Sequence, residues 1–168
     1  MSTDFEQLNH GWNAEPNAPA EQLSVVGECV TLEFYLNAFI FHDVTEEDRG
    51  RLIFGGVAKY RLGPTNDEGW NRGQCRFSGL APRWGEFYAV AGDLRDEEVR
   101  WVVVARPDER PRVRYLFYLR DSTFECDAVS WRLSDPRAKH VFPRWVSGFP
   151  AIKTFDSANC CYCDATQR

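Results

Sequence analysis

The stretch Val25-Val26-Gly27-Glu28-Cys29-Val30-Thr31-Leu32-Glu33-Phe34-Tyr35-Leu36-Asn37 decides the fold class. Within it, Val30, Leu32, Phe34 and Leu36 alternate with Thr31, Glu33, Tyr35 and Asn37. Successive side chains of a strand point to opposite faces, so this alternation predicts one buried face and one wet face. Residues 25–37 are expected as a single strand, with Phe39-Ile40-Phe41 prolonging it past a bend.

Upstream, residues 1–24 carry Asn9, Gly11, Asn13, Pro16, Asn17 and Pro19 without an apolar period, which reads as an extended N-terminal segment. Downstream, 42–51 reads as an acidic loop and 52–62 as a second strand bulged at Gly55-Gly56. Residues 63–69 are dense in turn formers; 70–78 and 86–91 are expected as the third and fourth strands. The apolar run 99–105 fits a central strand covered on both faces.

Residues 113–120 and 123–133 form the clearest hairpin, joined at Asp121-Ser122. Val113, Tyr115, Phe117 and Leu119 share one face of its first arm, and Phe124, Cys126 and Ala128 one face of its second. A short helix is expected from Asp135-Pro136, stopped by Pro143, before an irregular tail over 147–168.

About seven strands at roughly ten-residue spacing point to a mainly β, single-domain antiparallel β-sandwich or small β-barrel with little helix. The β domain is expected over 25–146, built from sequential hairpins. Composition agrees: the 168 residues are 14% aromatic, an enrichment that favours pleated, half-buried surfaces.

Charge and cysteine content narrow the function classes. A net charge of −5 argues against a nucleic-acid partner, since such binders carry a basic excess. No apolar run is long enough to cross a bilayer, and the first residues lack the pattern of a secretory signal. A cytoplasmic protein is therefore expected, in which the six cysteines are free thiols.

Catalytic and metal motifs are weak. Cys160 and Cys163 have C-x-x-C spacing, but a structural zinc site needs a second knuckle or paired histidines, and His10, His42 and His140 lie far apart. No G-x-S-x-G elbow or phosphate-cradling loop is present, and Cys75 falls on the apolar face of its expected strand. No cofactor, metal or catalytic residue is assigned.

The most suggestive stretch is 66–88, where Glu68-Gly69-Trp70 and Trp84-Gly85-Glu86 each set a glutamate beside a glycine and a tryptophan. Glu68, Trp70, Arg76, Trp84 and Glu86 are the candidate binding residues, because Trp and Arg anchor interfaces. Trp101 and Trp131 are expected inside the fold. The favoured expectation is a non-catalytic protein-binding module, of inhibitor or immunity type, with an aromatic and acidic surface for another protein. A sandwich or barrel holding a small apolar ligand among Phe34, Tyr115 and Phe117 is the second expectation. A small hydrolase or lyase pairing Glu68 or Glu86 with His42 or His140 is the third.

Overall fold

The structure, a computed structural model, describes residues 2–94, 100–106 and 108–134. Its strands are β1 (Thr3–Gln7), β2 (Gln22–Val26), β3 (Cys29–Tyr35), β4 (Arg49–Gly55), β5 (Lys59–Gly63), β6 (Phe87–Gly92), β7 (Val102–Val103), β8 (Val113–Tyr118), β9 (Thr123–Ala128) and β10 (Ser130–Ser134). One short helix, α1 (Asp67–Asn71), lies between β5 and β6. The strands form an open six-stranded sheet, β1-β6-β8-β9-β5-β7, and a four-stranded sheet, β10-β4-β3-β2. Every pairing is antiparallel. The architecture is a sandwich, and neither sheet closes into a barrel.

The inner faces are the alternating sets read from the sequence. Val30, Leu32 and Phe34 of β3 and Leu52 and Phe54 of β4 are fully buried from one side. Phe87, Phe117, Phe124 and Cys126 meet them from the other. Phe34 contacts Phe117 edge-on at 5.3 Å between ring centres, and Phe54 meets Phe124 at 5.3 Å. Each such ring contributes about 1.5–3 kcal/mol of burial free energy, so this aromatic layer dominates cohesion between the sheets.

The chain changes sheet twice at one corner. After β4, Gly56 takes φ +64°, Val57 is fully buried, and Ala58 N–H donates to Asp127 C=O at 2.9 Å. After β9, Val129 N–H donates to Gly55 C=O at 3.0 Å. Residues 52–62 are therefore two strands in different sheets rather than one bulged strand. The second arm of the 113–133 hairpin likewise divides into β9 and β10.

Other expectations change for identifiable reasons. Residues 25–37 are a hairpin, because Gly27 at φ +56° opens a two-residue turn between β2 and β3. Residues 70–78 are not a strand: Asn66 caps α1 through its side chain, accepting Gly69 N–H at 2.9 Å, and this local bond outweighs the alternation. The run 99–105 supplies only β7 among the described residues, an edge where Val102 and Val103 are 50% and 70% exposed. The preference of β-branched residues for strands varies with position between edge and centre, so the apolar run by itself does not specify a covered strand. The 1–24 segment supplies β1, which pairs with β6, and places Trp12 and Ala14 in the core. Sequential antiparallel pairs β2–β3, β3–β4 and β8–β9 are present as expected, and the non-local pairs β1–β6, β5–β9 and β4–β10 are added to them. Among the described residues, ten strands stand where about seven were expected of the chain. The expected helix at Asp135, His140, the 147–168 tail and Cys160, Cys161 and Cys163 lie outside the described residues.

Candidate functional site

A second apolar cluster sits on the outer face of the six-stranded sheet, where the 64–86 connection folds across Tyr88, Val90, Leu116 and Tyr118. Phe77 is driven to φ +61° here, a strained conformation for a bulky residue. Its ring is 2% exposed and packs edge-on against Phe5 at 5.5 Å, so burial offsets the strain. Burial pushes the Tyr118 phenol far above its ordinary pKa, and its O–H donates to Arg76 C=O at 3.2 Å.

This cluster receives some of the sequence-selected residues and separates others. Trp70 and Trp84 come together, 6.3 Å between ring centres, and Trp84 stacks on Tyr118 at 4.6 Å. Both indoles are half-buried members of the cluster, not a free platform. Glu68 is exposed on α1 and paired with Arg72 at 3.4 Å. Glu86 lies elsewhere: its carboxylate accepts the side-chain amides of Gln7 at 3.0 Å, Asn9 at 2.6 Å and Asn13 at 3.5 Å, tying the N-terminal segment to β6. Trp101 and Trp131, expected inside, are both half-buried.

Arg76 points inward, donating to Leu94 C=O and standing 3.7 Å from the Glu125 carboxylate. Glu125 is buried on β9 and also meets Arg61 at 3.5 Å. Next to it, Asp127 receives a two-pronged bond from the buried Arg114, with Nη2 to Oδ2 at 2.8 Å, and Lys59 at 3.5 Å. The indole of Trp101 lies against Lys59 at 4.5 Å and Arg114 at 4.4 Å. This network locks the outer face of β5, β8 and β9. Cys75 borders it, within 3.1 Å of Ser78 Oγ, and burial raises its thiol pKa, the reverse of an activated nucleophile. No group of three or more metal-ligating side chains occurs among the described residues.

Among the described residues, an exposed aromatic and acidic surface lies at 37–48, where the sequence predicts a prolonged strand running into an acidic loop. Phe39 and Ile40 are 63% and 66% exposed. They do not hang on a loose loop. The buried Asn37 accepts Phe39 N–H at 3.0 Å and Ile40 N–H at 3.2 Å through its side-chain oxygen, while its own N–H donates to Asn13 C=O at 2.9 Å. Val44 anchors the middle of the loop in the core, and Thr45 N–H donates to the Asp48 carboxylate at 2.8 Å. Asp48 C=O then accepts Leu36 N–H at 2.9 Å, closing the loop onto the end of β3.

Beside Phe39 lies an open hollow of about 380 Å³, lined by Ala18, Tyr35, Leu36 and Phe39 with the carboxylates Glu15 and Glu46. Glu15 shapes its wall by accepting the N–H groups of Asn17 and Ala18. Arg49 covers the Tyr35 ring at 4.1 Å and pairs with Glu33 at 3.1 Å. Asp43, Glu46 and Glu47 are exposed along the loop. The available signal was Ala38-Phe39-Ile40-Phe41, where alternation stops directly before an acidic run.

Phe34, Tyr115 and Phe117, the expected lining of an interior pocket, instead pack into the layer between the sheets. His42 is exposed on the 37–48 loop, whereas Glu86 is engaged by amide side chains. No helix among the described residues is long and apolar enough to cross a membrane. Compared with protein-family models, curated proteins and solved structures, the chain matches none.

Proposed function

We propose that this chain is a non-catalytic protein-binding module of the cell interior, acting as an inhibitor or immunity-type protein on a basic partner. The observation that carries the reading is the 37–48 loop, which holds Phe39 and Ile40 out in solvent on a hydrogen-bonded frame with carboxylates on either side. Exposed apolar residues on a fixed backbone bind without the entropic cost of ordering a loop. Carboxylates around them steer a cationic surface and suppress acidic competitors. Cys75 and Cys126 are present as thiols, in keeping with a reducing compartment.

Capture of the tagged protein from its native cells tests this, with wild type compared against Phe39→Ala/Ile40→Ala and Trp70→Ala/Trp84→Ala. The expected result is a stoichiometric basic protein that added salt weakens and the Phe39/Ile40 variant loses. Each truncation should cost about 2 kcal/mol of binding if these residues are its hot spots. A partner that ignores the Phe39/Ile40 variant but is lost with the tryptophans would return the site to the 66–88 region.

A further inference from the structure

Among the described residues, three of the four sheet edges carry a feature that discourages further pairing. β1 presents the exposed Asp4 and Glu6, β7 is two residues long, and β10 presents the exposed Arg132. β2 has none of these. Its five residues, Gln22-Leu23-Ser24-Val25-Val26, hold no charge and no proline, and Val25 and Val26 are 41% and 62% exposed. Among the described residues, β3 is its one neighbour.

We infer that β2 is the contact through which two copies of this chain associate, edge to edge and antiparallel about Ser24. The register follows from the hairpin. A two-residue turn makes Val26 and Cys29 a hydrogen-bonded pair, and alternation then commits the backbone groups of Ser24 and Gln22 to β3. The backbone N–H and C=O of Leu23 and Val25 therefore point away from the sheet. Two β2 strands centred on Ser24 set Leu23 of each copy opposite Val25 of the other, which pairs these outward groups. Ser24 meets its own counterpart in the close, non-hydrogen-bonded position between them.

The charges permit this geometry at β2 and oppose it at β1. Glu21 and Glu28, which flank β2, are held by their own chain: Ser122 Oγ bonds Glu21 at 2.5 Å and Arg110 pairs with Glu28 at 2.7 Å. The same self-pairing of β1 about Phe5 would set Asp4 against Glu6, a like-charge contact in each half. The resulting dimer carries a continuous eight-stranded sheet formed from the two four-stranded ones. This inference does not depend on the 37–48 loop.

Sedimentation of the full chain over a range of concentrations tests it. Wild type should show a reversible monomer–dimer equilibrium. Val25→Pro removes an outward N–H that the monomer does not use, so the fold should survive while association weakens by roughly tenfold or more, two hydrogen bonds being lost across the axis. Ser24→Lys and Ser24→Glu should each associate more weakly than wild type, and an equal mixture of the two should recover dimer. A wild type that stays monomeric, a dimer indifferent to Val25→Pro, or a mixture without recovery would each overturn the inference.

Discussion

Tyr115 and Tyr118 stand three positions apart on β8 and so face opposite ways, one into the core between the sheets and one into the outer cluster. Burial raises both phenols well above their ordinary pKa, and it does the same to the Cys126 thiol and, less strongly, to Tyr88 and Cys75. The sign of the consequence follows from linkage. These groups stay protonated in the folded chain at a pH where the unfolded chain has released its protons. Their contribution is complete below the unfolded values, about 8.5 for thiols and 10 for phenols, and is lost as pH rises towards the folded ones. Urea midpoints should therefore decline steadily from about pH 9 upward. Tyr115→Phe should decline less steeply than wild type. A midpoint that holds level to pH 10.5 would contradict this account of the buried phenols.

Among the elements, β1 shows how a strand without a strong pattern is held. It lies antiparallel to β6 with Thr3 opposite Gly92, and Thr3 Oγ1 donates to Asp93 C=O at 2.8 Å. Gly92 has φ +83°, and a methyl group there would collide with the Ser2 carbonyl oxygen. Gly92→Ala should therefore cost about 1–2 kcal/mol in backbone strain alone and release β1 as well. Hydrogen exchange should show β1 amides losing protection while β8 and β9 keep theirs; unchanged protection in β1 would contradict this register.

The same contrast explains what could be read in advance. The buried faces of β3, β8 and β9 were legible because long alternating runs reveal burial directly. β1 was not legible, because its partner lies more than eighty residues away and its five residues carry only Phe5 as a large apolar group. Residues 70–78 misled because alternation is silent about a capping asparagine four positions upstream. At the candidate site, Trp70 and Trp84 were legible as unusual residues, but their half-burial against Tyr118 depends on tertiary contacts that the local pattern does not carry. Phe39 and Ile40 were hidden for the opposite reason, since an apolar run after a strand reads as more strand.

At the scale of the molecule, the two cores support different parts of the surface. The outer cluster and the Arg114–Asp127 and Arg61–Glu125–Arg76 contacts occupy one broad face of the six-stranded sheet. Breaking a buried ion pair by removing one member is strongly destabilising, so this face is poorly suited to remodelling on contact with a partner. The 37–48 loop lies at the end of β3, anchored by Val44 and Asn37, and offers apolar side chains at little structural cost. The proposed recognition at this loop, rather than at the tryptophans, has a distinct signature in backbone protection. The most direct measurement is hydrogen exchange of the captured complex against the free protein. Slowed exchange across 38–48, with 67–84 unchanged, is the predicted result. Protection confined to 67–84, with the loop exchanging as it does in the free chain, would contradict the account.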